Sequence, residues 1–321
     1  MKWMRATMTN LLLPWDDMAT SSKRRVAMGT LHNVHWITDI DGRCGIFIKS
    51  TSSFDSVTPT ISLNGIDVLK RNSNSNNGEL ILLLNKKEDA QIFYKLCEDL
   101  VSTIDLYEDN GAMISALEIR LQRWQELLKK NGNYLMPIEL QMGLFTELTF
   151  LKIHLFQQIG PEQSVHSWVG PDFDKQDFLL DNAVVEIKSY RTSKGEEVSI
   201  SSAQQLCSGK QPLYLVAYGL TRSDNGLTIL DLVVEIQGVL STKSKLISDV
   251  FNLKLVDYGF VPELQNEPYA GFLIDTERIF KVTGGFPRIT PLIIPKEVTK
   301  LKYTIDLSDC KDYEERFESI Y

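Results

Sequence analysis

No stretch of this 321-residue chain approaches the ~18 consecutive apolar residues of a membrane-spanning helix, so no membrane partner is expected. Between Met4 and Trp15 the only apolar run is Leu11-Leu12-Leu13, ahead of Pro14. That is too short for the core of a secretory leader, and a cytoplasmic location is the expectation. Cysteine is scarce. Cys44, Cys97, Cys207 and Cys310 are scattered without metal-ligand spacing and read as reduced thiols. His32 and His35 have no cysteine nearby, so a zinc site is not expected. The chain lacks a GxxxxGK[ST] phosphate loop, so any ATP-driven motor would be a separate partner. Internal repeats and heptad runs are also missing. Basic residues are outnumbered 34 to 42, for a net charge of −8, so there is no overall basic footprint for nucleic acid. Local patches decide that question instead. Two exist: Lys23-Arg24-Arg25, and the group Lys188, Arg191 and Lys194. Each type of cluster is more often a solvated face than a phosphate contact, but the second lies beside unusual acidic residues.

Hydrophobic content of 43% is ordinary for a globular chain, and the length allows two or three subdomains. Residues 1–132 read as strand-rich, then helical. Asp41-Gly42 turns between His35–Ile40 and Gly45–Lys49. A segment rich in Asn and Ser, Asn72–Gly78, precedes a strand at Glu79–Leu84. Helices are expected at Glu88–Ile104 and Met113–Lys130, the second with an apolar stripe of Leu117, Leu121, Trp124 and Leu128. Asn131-Gly132-Asn133 breaks the pattern. A central part covers 133–237, and 238–321 should hold a helix near Ser241–Phe251 followed by strands that extend or cover the central sheet.

Within the central part, Pro137–Leu155 reads as a helix. Proline suits its first turn, and Leu140, Leu144, Leu148, Leu151 and Leu155 form its stripe. Glu147 lies beside that stripe, where it either reaches solvent or faces a polar site. Ser164–Val169 can form a strand. Ser201 or Ser202 opens a short helix, with Gln204 or Gln205 three residues on as a capping box. Pro212–Leu220 reads as a buried strand, and Asn225-Gly226 as a hairpin turn into Leu227–Ile236.

Residues 177–188 are the most informative. Asp181-Asn182 is a two-residue turn between apolar runs, so the segment predicts a tight hairpin with fixed register. Leu180 then faces Ala183, Leu179 faces Val184, Phe178 faces Val185, and Asp177 faces Glu186. Opposed side chains in such a pair stand about 4.5–5.5 Å apart at Cβ, where like charges repel. Lys188 projects from the same face as Glu186. A divalent cation between the two carboxylates is the simplest reason to keep that arrangement, and Mg²⁺ is typically held in this way. A solvated strand with an ordinary Glu–Lys pair would also carry acid-x-Lys. The apolar setting of Val184, Val185 and Ile187 argues against it, because buried charges are paired or metal-bound.

Asp177 with Glu186-Ile187-Lys188 resembles the PD-(D/E)XK nuclease superfamily, and the order helix, strand, strand, strand, helix, strand is similar to its core. The resemblance implies an α/β (α+β) fold with a restriction-endonuclease-like mixed sheet flanked by helices. It also implies Mg²⁺-dependent hydrolysis of phosphodiesters, with Mn²⁺ able to substitute. Asp177 and Glu186 would hold the metal with the Ile187 carbonyl, and Lys188 would orient water or stabilise charge on phosphorus. An acidic residue on the preceding helix often faces the metal, which points to Glu147. Gln205 matches a glutamine that reaches the site in many relatives. Pro171-Asp172 offers a rival first acid. Hairpin phase aims it to the opposite face, although Gly170 and Pro171 leave a strand break open. The stretches Ile200–Leu206, Phe286-Pro287-Arg288-Ile289, Ile293-Ile294-Pro295 and Tyr303–Leu307 resemble bacterial PD-(D/E)XK proteins often encoded near restriction or phage-defence genes. DNA is therefore the implied substrate, with room for partner subunits and self-association. A catalytically inactive binding subunit of a defence complex is the alternative.

Overall fold

The computed structural model describes residues 12–26, 30, 32–54, 61–72, 77–129, 135–172, 175–210, 212–265 and 267–320. The Asn131-Gly132-Asn133 breaker and the middle of Asn72–Gly78 lie outside these residues. The chain divides into two compact units, Met1–Tyr134 with Glu263–Asn266, and Leu135–Pro262 with Glu267–Tyr321. Among the described residues no helix is long and apolar enough to cross a membrane.

The first unit contains β1 (Lys23–Arg25), β2 (Asn33–Thr38), β3 (Cys44–Ser50), β4 (Ile66–Asn72) and β5 (Gly78–Leu84). They form one antiparallel sheet in the order β1-β2-β3-β5-β4. Asp41-Gly42 makes the expected turn, with Gly42 at φ +78°. Period-two burial along β2 turns Val34 and Trp36 inward. Helices α1 (Ala90–Ile104) and α2 (Asn110–Leu128) follow where their apolar periodicity predicts them. Leu117, Leu121 and Trp124 are fully buried. Between these helices the buried Asp99 accepts from Arg120 Nε and Trp124 Nε1, both at 2.6 Å.

The second unit begins with α3 (Ile138–Phe150), which runs through a π-helical turn at Leu151–Leu155 into α4 (Phe156–Gln158). Leu144, Leu148, Leu151 and Leu155 are buried as their spacing requires, whereas Leu140 is exposed. Then come α5 (Pro161–Ser167), β6 (Phe178–Leu179), β7 (Val184–Arg191), β8 (Glu197–Ile200) and β9 (Leu213–Leu227). These are followed by α6 (Ile229–Ser241), α7 (Lys245–Tyr258), β10 (Phe272–Lys281), β11 (Tyr303–Asp306) and β12 (Glu314–Glu315). The main sheet has the order β12-β10-β9-β7-β6. It is mixed, because β7 runs parallel to β9 while the other pairs are antiparallel. Strands β8 and β11 form a separate antiparallel pair. This is the restriction-endonuclease-like α+β architecture. Residues after 238 both extend the main sheet, through β10 and β12, and complete the small one, through β11.

Four local expectations are corrected. The strand expected at Ser164–Val169 is instead helix α5 up to Ser167, and only Trp168 bridges to Phe178. Gly160 at φ +81° followed by Pro161 at the first helical position is a helix start signal. The helix expected from Ser201 or Ser202 is a single turn at Ala203–Leu206. Its carbonyls are taken by side chains: Gln176 Nε2 donates to Gln204 O at 2.7 Å, and Arg288 Nη1 to Leu206 O at 2.6 Å. Asn225-Gly226 is not a hairpin turn. Strand β9 runs straight through it, and Thr228 with Asp231 forms a capping box for α6. Gly226 is needed for close approach, since a Cβ there would lie 2.5 Å from the Phe272 backbone. Finally, the helix placed near Ser241–Phe251 is α7, Lys245–Tyr258, ending at Gly259 in the left-handed region at φ +100°.

The Asp99 cluster generates a stability prediction. Asp99→Ala removes the carboxylate paired with the Arg120 guanidinium, which is 6% exposed. Breaking a buried pair from one side costs about 3–5 kcal/mol. Urea denaturation should show a loss of that size, and a loss within experimental error would mean that Arg120 finds another partner.

Candidate active site

The Asp181-Asn182 turn closes with Leu180 N donating to Ala183 O at 2.9 Å, and Phe178 pairs with Val185 in the expected register. That pairing carries Asp177 to Glu186. Asp177 Oδ2 accepts from Ile187 N at 2.7 Å, which pins the carboxylate against β7. The backbone carbonyl of Asp177 accepts from Val169 N and Gly170 N, fixing the entry into the hairpin. Gly170 is required here: a Cβ would lie 3.0 Å from both Asp177 Oδ1 and Glu147 Oε2.

Glu186 is 0% exposed. On β9 its neighbour is Leu215, and the same sheet face carries the apolar cluster of Val184, Leu215, Ala217 and Phe280. Lys188, two residues on, donates to Glu186 Oε1 and is 16% exposed. Glu186 Oε2 is buried with no hydrogen-bond partner among the described residues. An unsatisfied buried acceptor costs about 1–3 kcal/mol, more when charged.

Glu147 reaches the same place from α3. Its Oε1 accepts from Tyr258 Oη at 2.9 Å and its Oε2 from Trp168 Nε1 at 2.7 Å. Both donors escaped the sequence reading. Tyr258 lies 111 residues from Glu147, and Trp168 fell in the segment misread as a strand. Helix α7 contributes twice. Lys254, one turn before Tyr258, donates to Trp168 O and to Asp172 Oδ2, the latter at 2.6 Å. Asp172 is thus drawn to Lys254 within a 3-10 turn at Gly170–Asp172, while Asp177 lies with Glu147 and Glu186. Gln205 is half-buried, and its Oε1 accepts from Ser201 N at 2.7 Å, so its side chain closes its own turn. That turn is tied to the site through Gln176, the residue before Asp177.

Electrostatics follow from this crowding. Burial, then the Asp177 charge, pushes the Glu186 carboxyl up to about 8, against the pull of Lys188. Burial and Asp177 likewise raise Glu147 well above the carboxylate range, opposed by Trp168, Tyr258 and Lys188. Burial also raises Asp177, opposed by Lys188 and the Ile187 N–H. Burial alone would lower Lys188, but Glu186 and Asp177 outweigh it and hold the ammonium above its ordinary value. One lysine therefore stands among three carboxyl groups that each resist ionisation. Among the described residues no three acidic, histidine or cysteine side chains form a ready-made metal cage. The available donors are nevertheless hard carboxylate oxygens, including an unpartnered one, and these suit Mg²⁺ or Mn²⁺.

A pH prediction follows for the metal-free protein. The folded state holds the Glu186 proton more tightly than the unfolded chain does. The stability contributed is therefore complete below about pH 4.5 and is lost as pH rises through about 8. Asp177 and Glu147 share that sign. Glu186→Gln, neutral at every pH, should match the parent in melting temperature near pH 5 in EDTA and exceed it increasingly toward pH 8. A gap that stays constant across that range would show that Glu186 ionises without penalty.

A family model described as "Putative PD-(D/E)XK family member, (DUF4420)" matches residues 9–308. No curated protein and no solved structure matches the chain. The match takes in the hairpin, the acid-x-Lys strand and the helix that carries Glu147, and the chain belongs to this PD-(D/E)XK family.

Proposed function

We propose that the protein is a divalent-metal-dependent nuclease that hydrolyses phosphodiester bonds in DNA. The observation that carries this reading is Glu186 Oε2, an acceptor sealed in an apolar strand next to Asp177 and unpartnered among the described residues. Asp177, Glu186 and the Ile187 carbonyl would hold Mg²⁺, with Mn²⁺ as a substitute. When bound, such an ion supplies Lewis-acid polarisation of a phosphoryl oxygen and a more acidic attacking water.

The remaining work falls to the chain's own side chains. Lys188 releases Glu186 Oε1 and turns its ammonium to the attacking water or to the charge that builds on the phosphoryl oxygens. Glu147, held by Trp168 and Tyr258, completes the acidic wall directly or through water. Gln205 would position water or substrate, for which its amide must leave Ser201 N. The family resemblance extends the proposal to a cytoplasmic role in restriction or phage defence, with partner subunits.

The test is incubation with plasmid and with single-stranded DNA, in Mg²⁺, in Mn²⁺ and in EDTA. Cleavage that requires the metal supports the reading. Metal-independent DNA binding with no cleavage under any condition favours the inactive binding subunit instead. Lys188→Ala should lose cleavage by orders of magnitude, each tenfold step being about 1.4 kcal/mol of barrier. Lys188→Gln, which can still donate to Glu186, controls for stability and should be equally inactive. Near-full cleavage by either variant would remove Lys188 from the mechanism.

Ligation is separable from turnover by thermal melts. A ligand that binds only the folded state stabilises it by about 2.7 kcal/mol at a hundredfold excess over Kd. Mn²⁺ should raise the melting temperature of the parent, and much less that of Asp177→Asn, whose amide oxygen can still accept from Ile187 N. Equal metal-induced shifts in the two proteins would exclude Asp177 as a ligand.

A further inference from the structure

Strands β7 and β9 run parallel, and ligands of open α/β sheets bind in the crevice beyond the carboxyl ends of such strands. A cavity of about 540 Å³ lies at the carboxyl end of β7, beside the middle of the longer β9. Its apolar wall includes Ile138 and Met142 from α3 and Phe272 from β10, and its polar rim includes Arg191, Thr221 and Arg222. The volume falls within the ~300–1,000 Å³ of small-molecule sites. Arg191 is three residues past Lys188, roughly 10 Å along the strand. The two side chains leave β7 on opposite faces, so a polymer passing the carboxylates reaches the cavity over the end of β7.

Two features mark the rim as built to receive an anion. The side chain of Arg222, opposite Phe272 in the β9–β10 register, makes no ion pair or hydrogen bond among the described residues. Among the described residues the Arg191 side chain pairs with Glu139 alone, at 3.1 Å, and Glu139 is 75% exposed. The rim is also held in place. A register shift between Ile274 and Thr276 turns Asp275 toward Thr192 and Thr221, whose hydroxyls each donate to Asp275 Oδ2 at 2.7 Å. This fixes the residue after Arg191 to the residue before Arg222.

We propose that this cavity is a subsite for one unpaired nucleotide of the nucleic-acid strand being cut. Arg191 and Arg222 take its phosphate, and the base enters between Ile138, Met142 and the edge of Phe272. The identification of the strand as substrate rests on the nuclease reading, but the cavity is tested by binding alone. A guanidinium pair recognises phosphate, and an apolar wall recognises a base face. A paired base cannot present that face, so the site selects single-stranded or locally opened segments.

The experiment is fluorescence anisotropy with a labelled single-stranded oligonucleotide and with its duplex, in EDTA, over a salt series. Arg222→Ala should weaken single-strand binding about tenfold and reduce the log–log salt slope by about 0.7, the loss of one phosphate contact. Ile138→Trp, which fills the cavity from the half-exposed first turn of α3, should weaken the single strand more than the duplex. Parental binding by both variants would overturn the proposal. So would free nucleoside monophosphates binding in an Arg222-dependent manner while the oligonucleotide does not. Metal-dependent cleavage left unchanged in both variants would sink the subsite and leave the nuclease standing. Arg222-dependent binding in a protein that never cleaves would do the reverse.

Discussion

Burial of Glu186 in the middle of an apolar strand is the constraint on which the second unit turns. A carboxylate taken out of water costs several kcal/mol unless it is paired and hydrogen-bonded. Lys188 covers one of its oxygens, and the other has no partner among the described residues. Asp177 is then brought to the same place by the hairpin, and Glu147 by α3. Three carboxyl groups against one ammonium is an arrangement that folding alone would select against. A dication added to that cluster would take the place of the protons these carboxyl groups hold and satisfy the orphaned oxygen in one step.

The surroundings hold this cluster rather than relax it. Tyr258 and Lys254 share a face of α7. One fixes Glu147, and the other fixes the Trp168 carbonyl while drawing Asp172 to itself. Two glycines make the approach possible. Gly170 leaves room between Asp177 and Glu147, and Gly143, one turn before Glu147, leaves room for the Tyr258 hydroxyl, which a Cβ would meet at 2.7 Å. Gln176 ties the Ala203–Leu206 turn to the residue preceding Asp177. Such outer contacts set the direction of each acid, much as second partners orient metal ligands elsewhere.

What could be read from the sequence was what is decided locally. A two-residue turn fixes register, so the pairing of Phe178 with Val185 and the convergence of Asp177, Glu186 and Lys188 follow from residues 177–188 alone. Helices α1, α2 and α3 were legible from their apolar periodicity. At Asn225-Gly226 and at Ala203–Leu206 tertiary contact overrides local signal. Asn225-Gly226 has the composition of a hairpin turn, yet its glycine serves close passage of the Phe272 backbone. The turn at Ala203–Leu206 stops short of a helix because Gln176 and Arg288 take its carbonyls. Tyr258, Trp168 and Lys254 could not be found from spacing, since their partners lie 111, 21 and 82 residues away. At Ser164–Val169 the deciding signal is local: Gly160-Pro161 starts a helix that runs to Ser167.

If the Asp177–Glu186 pair is a cation site, a bound ion should be directly visible there. The most direct measurement is a crystal structure of the protein grown with Mn²⁺, with anomalous differences collected at the manganese edge. One strong peak is expected between the Asp177 and Glu186 carboxylates, with the Lys188 ammonium moved off Glu186. Saturating Mn²⁺ with no peak at that pair, and Lys188 still bonded to Glu186, would contradict it.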